Sequence, residues 1–236
     1  MKIRLKINGA IITAALVLLV IFPAFFLRSA KVGFWDELTE IFGVSAILLG
    51  QLFRASARGY KAEHSQNGRT LIQGGPYNLV RNPMYLGIFL IGVGIVLILF
   101  EWWVACVFLA VFATRYILPI FKEEKKLLAL FPKDYPAYCC RVPRFFPSFN
   151  MLAQKDISEY LPLRLSWLKK EIGAVLAVLS ATLLLESWED IKSQGVRIYF
   201  KESIGIFAII LSFVILCVYL VRQTAASRKE NVADKS

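Results

Sequence analysis

Two segments of this 236-residue chain concentrate side chains able to bind and orient a charged small molecule. The first runs Gly74-Gly75-Pro76-Tyr77-Asn78-Leu79-Val80-Arg81-Asn82-Pro83-Met84-Tyr85-Leu86-Gly87. Glycine admits positive φ and proline presets its own, so Gly74, Gly75 and Pro76 predict a turn. Pro83 stands where a helix can begin, since that position needs no N–H. This makes Asn82 the expected cap and leaves the first N–H groups available to an anionic group. Tyr77, Arg81 and Tyr85 add two phenols and a guanidinium. Each alone is an ordinary interfacial anchor; their concentration in one turn is what suggests a site.

The second segment begins Lys122-Glu123-Glu124-Lys125-Lys126-Leu127 and continues through Phe131-Pro132-Lys133-Asp134-Tyr135 to Tyr138-Cys139-Cys140-Arg141-Val142-Pro143. Glu124 fits a solvated helix end. Glu123, four residues after Pro119 on a helix that the proline can kink, is expected to turn into a cavity at the membrane surface, where a carboxylate calls for a cation. Arg115 is the one basic residue inside an apolar run, and it either snorkels to the interface or binds the acceptor. His64, the single histidine, is a candidate proton acceptor, the alternative being an incidental surface residue. Gly92-Val93-Gly94 lacks a third motif glycine and lies in an apolar run, which points to close helix packing rather than a dinucleotide turn.

The elements that must position these residues are set by composition. Hydrophobic residues make up 57% of the chain and its mean hydropathy is +0.58, which excludes an ordinary soluble enzyme. Six apolar runs predict an all-α, multi-pass membrane bundle: Ile7 to Leu27, Ile41 to Phe53, Asn82 to Phe100, a run from there toward Phe121, Ile172 to Leu185, and Ser203 to Val221. The third and fourth form a helical hairpin whose turn carries Glu101-Trp102-Trp103, residues suited to an interface. The segments Met1 to Lys6, Arg54 to Arg81, Lys122 to Lys170 and Arg222 to Ser236 hold 22 of the 28 lysines and arginines, which places both termini in the cytoplasm. The net charge of +11 is spread over these loops with no reading module evident, so nucleic acid is not an expected partner. Two of the four cysteines lie in apolar runs and two are adjacent in a basic stretch, a poor layout for a disulfide framework.

By organisation the chain divides into N-terminal membrane helices at 1–60, a core at 61–149 with the hairpin and both reactive segments, an added helix pair at 150–223, and a polar tail at 224–236. Leu161 to Lys170 mixes leucines and Trp167 with basic residues and is expected to lie in the membrane interface.

The order Gly75-Pro76-Tyr77, Arg81-Asn82-Pro83-Met84-Tyr85-Leu86-Gly87, Glu123-Glu124-x-x-Leu127, Tyr135-x-x-Tyr138 and Val142-Pro143 resembles the membrane methyltransferases related to isoprenylcysteine carboxyl methyltransferase and phospholipid methyltransferases, over roughly Arg69 to Phe146. The resemblance implies S-adenosylmethionine as methyl donor, held at the cytoplasmic mouth of the hairpin, with Arg69, Thr70, Leu71, Ile72, Tyr77, Asn82, Pro83, Met84 and Tyr85 lining the donor pocket and Glu123 as its carboxylate. It requires no metal. It also implies an amphiphilic acceptor from the membrane, a lipid or a lipidated small molecule. Arg-Asn-Pro is familiar among its bacterial-type members, which implies a bacterial inner membrane. The isoprenylcysteine enzymes have histidine where this chain has Arg69 and Asn82, and an acceptor-binding arginine where it has Pro119. Arg115 or Lys122 would then take that arginine's part, and the acceptor is a prenylcysteine carboxylate, a lipid amine, a hydroxyl or another small amphiphile. The alternative is a non-catalytic membrane protein, an assembly factor or transporter subunit, that keeps the hairpin without turnover.

Overall fold

A computed structural model describes residues 21–28, 34–65, 70–147, 156–194 and 196–233. Every regular element among them is helical: α1 Pro23–Phe26, α2 Phe34–His64, α3 Pro76–Leu79, α4 Pro83–Leu99, α5 Trp102–Leu130, α6 Asp134–Arg141, α7 Ile157–Tyr160, α8 Leu165–Gln194 and α9 Val196–Ala233. Among the described residues three helices are long and apolar enough to cross a membrane, over Trp35–His64, Trp102–Leu130 and Gly205–Ser227. At 17 residues and about 1.5 Å each, α4 is apolar but near the lower limit for crossing a hydrocarbon core. The fifth expected run lies within α8, which is not among those three, and most of Ile7 to Leu27 falls outside the described residues.

The second run, expected to be a short element of 13 residues, is instead the middle of a 31-residue helix. Charge explains the difference. Asp36 and Glu37 occupy the first turn of α2 and Lys61 and His64 the last, matching the sign of the helix dipole at each end, so the charges extend the helix past its apolar stretch.

Antiparallel packing of α2 on α4 dominates the fold and is set by glycine. A Cβ at Gly50 would lie 2.6 Å from the Gly87 carbonyl oxygen, and one at Gly94 would lie 2.4 Å from the carbonyl oxygen of Gly43. Two glycine pairs, seven residues apart on both helices, thus bring backbone against backbone. Val44, Ile47, Leu48 and Ile98 form one buried cluster around this seam.

The α4–α5 hairpin closes with aromatic rings where α2–α4 uses glycines. Phe89 meets Phe108 and Phe112 at 6.1 and 5.1 Å between centroids, Tyr85 meets Tyr116 at 5.5 Å, and Gly92 faces the Phe108 ring. At the turn, Glu101 N–H donates to the Phe26 carbonyl and Arg28 N–H to that of Leu99, while Trp103 packs on Phe25 and Phe26. Trp102 is 79% exposed, so one of the tandem tryptophans packs and the other projects.

Part of Leu161 to Lys170 packs into the protein, while Leu165 and Lys169 are exposed. Leu161, Leu163 and Trp167 are buried, the Trp167 ring lies flat on Gly59, and its indole N–H donates to Glu63 at 2.9 Å. Its leucines join Leu52, Leu79, Leu86 and Leu220 in the largest buried cluster. Glu171, also buried, pairs with Arg58 and lies 3.8 Å from Arg54 of α2. Of the basic residues in this segment, Arg164 bonds Glu63 and lies over Trp167.

Candidate active site

The N-terminal end of α4, the C-terminal end of α5, and α3 and α6 enclose a cleft whose cavity measures about 70 Å³. Its approach is built locally. Gly75 has φ +57°, which an L side chain rarely adopts, and both Gly74 and Gly75 lie against Tyr60 so closely that a Cβ on either would collide with the ring. The expected turn is therefore present, and Pro76 and Pro83 each open the helix that follows. Tyr138 O–H donates to the Tyr77 carbonyl at 2.7 Å, and Arg81 N–H to that of Pro143 at 2.9 Å, which fastens the first reactive segment to the second.

Neighbours on a helix point about 100° apart, so Glu123 and Glu124 enter different surroundings. Glu123 is half-exposed and lines the cleft, accepting from Tyr85 O–H at 3.2 Å with Lys61 Nζ at 4.0 Å. Glu124, expected to be solvated, is only 9% exposed. It receives Arg144 Nε at 3.1 Å on both oxygens, Arg144 Nη2 at 2.9 Å and Asn82 Nδ2 at 3.4 Å, with Arg81 Nη1 at 3.5 Å. The apolar side of α5 that buries Ile120 carries Glu124 inward one turn later, and these donors offset its loss of water.

Asn82 does not cap α4. Its side chain makes no cap hydrogen bond and instead donates to Glu124 and, at 3.1 Å, to the Arg144 carbonyl. Two nearby acceptors outside the helix draw the amide away, leaving the first N–H groups of α4 without a side-chain partner from that position.

Of the residues expected in the donor pocket, Tyr77, Asn82, Pro83, Met84, Tyr85 and Glu123 line this one cleft. Thr70, Leu71 and Ile72 do not: Thr70 donates to the His64 carbonyl at 2.7 Å, Leu71 packs against Tyr135, Tyr138 and Val142, and Ile72 is half-buried nearby. Arg69 lies outside the described residues. Arg115 is exposed on α5, eight residues or roughly 12 Å of helix before Glu123, and does not line the cleft. Pro119 removes the N–H that would otherwise meet the Arg115 carbonyl. His64 stacks on Tyr60 at 3.9 Å and bonds that residue's carbonyl, closing the end of α2 outside the cleft.

Lys61 and Glu124 were not anticipated as site residues. No sequence spacing signals Lys61, since it arrives by the packing of α2 on α4. The paired Arg81 and Arg144, flanking Glu124 on both sides in sequence, were the available hint for that carboxylate.

The phenols on the cleft wall are held neutral. Burial, and then the negative charge of Glu123, raises the pKa of Tyr77; burial also raises that of Tyr138. Tyr135 is pushed up to about 12, first by burial and then by Glu124. Its Oη and the Nε of Arg81 are both buried without a hydrogen-bond partner. Arg81 is shifted upward, because its carboxylate and other negative neighbours together outweigh the opposing effect of burial. The cleft lining thus combines the carboxylates of Glu123 and Glu124, the cations Lys61 and Arg81, and several un-ionised phenols.

A family model described as phospholipid methyltransferase matches residues 38–134. The matched stretch runs from α2 through the hairpin to the start of α6 and carries nearly all of the cleft. Over those residues the chain is similar to a family of membrane methyltransferases. It is 27% identical over 154 residues to the cobalt-zinc-cadmium resistance protein CzcN of Cupriavidus metallidurans, an alignment covering 65% of this chain and 67% of that protein. No solved structure matches.

Proposed function

We propose that the protein transfers a methyl group from S-adenosylmethionine to an amphiphilic acceptor at the cytoplasmic face of a bacterial inner membrane. The observation that carries this is the cleft of the family segment, where a Tyr85-bound carboxylate, Glu123, faces phenols kept un-ionised. The residue types fit that donor. Glu123 would hold its ammonium, Lys61 and the first N–H groups of α4 its carboxylate, and the rings of Tyr77 and Tyr85 would face the cationic sulfur. A cavity of about 70 Å³ is well below the roughly 300–1,000 Å³ of sites that enclose a whole small molecule, so it suits one end of the donor with the remainder in the open mouth.

When bound, S-adenosylmethionine supplies a methyl group on a positively charged sulfur. Alignment and exclusion of water are the protein's part in such a displacement. Tyr85 orients Glu123, and Glu124 with Asn82 and Arg144 fixes the end of α5 against the start of α4. Neutral phenols attract a cation less than phenolates would, which avoids overstabilising the charged reactant. With Tyr77, Tyr135 and Tyr138 protonated at neutral pH, none is a phenolate base there, and an acceptor already carrying a lone pair, a carboxylate or free amine, suits the site best. Arg115 or Lys122 remains the proposed acceptor contact, from the membrane side of α5.

Titration of purified protein with S-adenosylmethionine tests the reading. Saturable binding is expected, weakened roughly tenfold or more in Glu123→Ala and Tyr85→Ala. No binding by the wild type, or equal binding by both variants, would overturn it. Incubating membranes with radiolabelled donor then shows whether label enters lipid, protein or a small molecule. A second reading, a non-catalytic assembly factor that keeps the fold, draws on the metal-resistance name of the relative in Cupriavidus metallidurans and predicts donor binding without any labelled product. Labelling of cysteines placed at Lys61 and Lys133 should report the same membrane side for both.

A further inference from the structure

Pro143-Arg144-Phe145-Phe146-Pro147 forms no regular element and runs as a strap from the end of α6 onto the α4–α5 hairpin. Its first half is polar and tied to the wall of the Glu123 cleft. The Pro143 carbonyl accepts from Arg81 N–H at 2.9 Å and the Arg144 carbonyl from Asn82 Nδ2 at 3.1 Å. The Arg144 guanidinium binds both oxygens of Glu124 and lies 4.7 Å from the centre of the Phe121 ring. The second half is aromatic. Phe145 lies 5.6 Å from Phe89 of α4 and 5.9 Å from Phe112 of α5, so its ring bridges the two helices of the hairpin. Phe146 rests on Phe89 at 5.8 Å and is 62% exposed.

Rings continue from that point to the site. Phe112 meets Tyr116 at 4.6 Å, Tyr116 meets Tyr85 at 5.5 Å, and Tyr85 bonds Glu123. An aromatic path therefore joins the exposed Phe146 to the cleft, and Phe145 sits on it. The strap is held unevenly. Among the described residues no backbone hydrogen bond holds Phe145 or Phe146, so its tip depends on ring contacts, and segments with few backbone hydrogen bonds are the ones that open locally. Arg144 can leave Glu124 without stranding it, because Asn82 Nδ2 at 3.4 Å and Arg81 Nη1 at 3.5 Å stay on the same carboxylate.

We infer that the strap is a lateral gate: the Phe145 ring plugs the aromatic path along α4 and α5, Arg144 on Glu124 is the latch, and opening admits the apolar chain of a membrane-borne acceptor to the Glu123 cleft. The acceptor's part rests on the methyl-transfer reading; the gate itself does not. Closed, the strap separates bilayer from cleft and leaves the cleft to water-soluble ligands. Arg144 and Phe145 are consecutive, so a chain that displaces the ring also draws the guanidinium off Glu124. Filling the path is thereby coupled to the cleft wall.

The test uses full-length Met84→Cys protein in phosphatidylcholine nanodiscs, with alkylation at position 84 of the cleft wall read by peptide mass spectrometry. N-dodecylmaleimide approaches from the bilayer and iodoacetamide, small and uncharged, from water. The apolar reagent should react slowly when the strap is intact, and roughly tenfold or more faster once Phe145→Ala is added, since two ring pairs no longer hold the tip. Arg144→Gln should also speed it by freeing the latch, and stands alone as the test if Phe145→Ala does not fold. Phe145→Tyr, which keeps the ring, should leave the rate near its starting value. Iodoacetamide should react alike in all four proteins. Faster reaction of both reagents in the same variant would mean general loosening and would overturn the proposal, as would no gain with the apolar reagent in either Phe145→Ala or Arg144→Gln. Neither reagent needs the methyl donor, so failure here leaves donor binding untouched, and failure of donor binding leaves the gate standing.

Discussion

Tyr85 donates to Glu123 across 3.2 Å while the adjacent Glu124 is bound by Asn82 and Arg144, so consecutive carboxylates on one helix hold different tasks. Their variants should separate cleanly. Glu124→Ala leaves Arg81, Arg144 and Asn82 without their acceptor and is expected to cost about 1.5–3 kcal/mol of stability. Glu123→Ala, at a half-exposed position, should change stability by less than about 0.5 kcal/mol and act instead on donor affinity. Denaturant unfolding beside donor titration checks both; a large stability loss in Glu123→Ala would contradict the division.

The seam between α2 and α4 leaves no room for a methyl group. Gly50→Ala and Gly94→Ala should each destabilise by about 1–3 kcal/mol, because the neighbour in the way is backbone, which cannot rotate aside. Gly173 in α8 is the control. A Cβ there meets nothing within 4 Å, so Gly173→Ala should be neutral or stabilise by up to about 1 kcal/mol through helix propensity. Thermal unfolding of the three variants in one detergent provides the comparison.

Tyr135 and Tyr138 are neighbours in α6 with opposite prospects as phenylalanine. Tyr138→Phe removes the bond to the Tyr77 carbonyl and should cost about 1 kcal/mol, whereas Tyr135→Phe removes a hydroxyl that lacks a partner and should be close to neutral. Their alkaline behaviour follows from linkage. The Tyr135 pKa is about 12 folded against about 10 unfolded, so the unfolded chain gives up this proton first. The stability it supplies is complete below pH about 10 and is lost as pH climbs through about 12. Tyr135→Phe should flatten that decline, as unfolding measured from pH 9 to 12 will show.

Glu171 joins α8 to α2 through Arg58 and Arg54. Glu171→Ala should lower stability by about 1.5–3 kcal/mol and increase proteolytic cleavage in α8, while donor affinity at the cleft stays near the wild-type value. A matching loss of donor affinity would show that α8 supports the cleft as well as the fold.

Local chemistry was the legible part of this molecule. Gly75 and Pro76 announced their turn and Pro83 its helix, because each depends on backbone preference, whereas the shared location of Tyr85 and Glu123, 38 residues apart, followed only from the family resemblance. What depended on long-range packing was not legible. Glu124 looks solvated until Arg144 folds back over it, and Asn82 looks like a cap until that carboxylate arrives. Leu161 to Lys170 has the composition of a membrane surface, yet Trp167 within it is buried on Gly59 and Glu63, about a hundred residues away in sequence. The length of α2 was missed because charges were taken to end a membrane run, when their signs favour continuing it.

The doubled glycine contact has a bearing on how anything gets in or out. With main chains touching at two levels, α2 and α4 behave as one stiff beam, and the pocket walls they supply at Lys61 and Met84 keep a fixed spacing. Aromatic rings on α5 have no such interlock and slide more easily over α4, and Pro119 has already weakened that helix just before the acidic pair. Passage to the Glu123 cleft would therefore be governed from the α5 side, which carries a long exposed apolar surface.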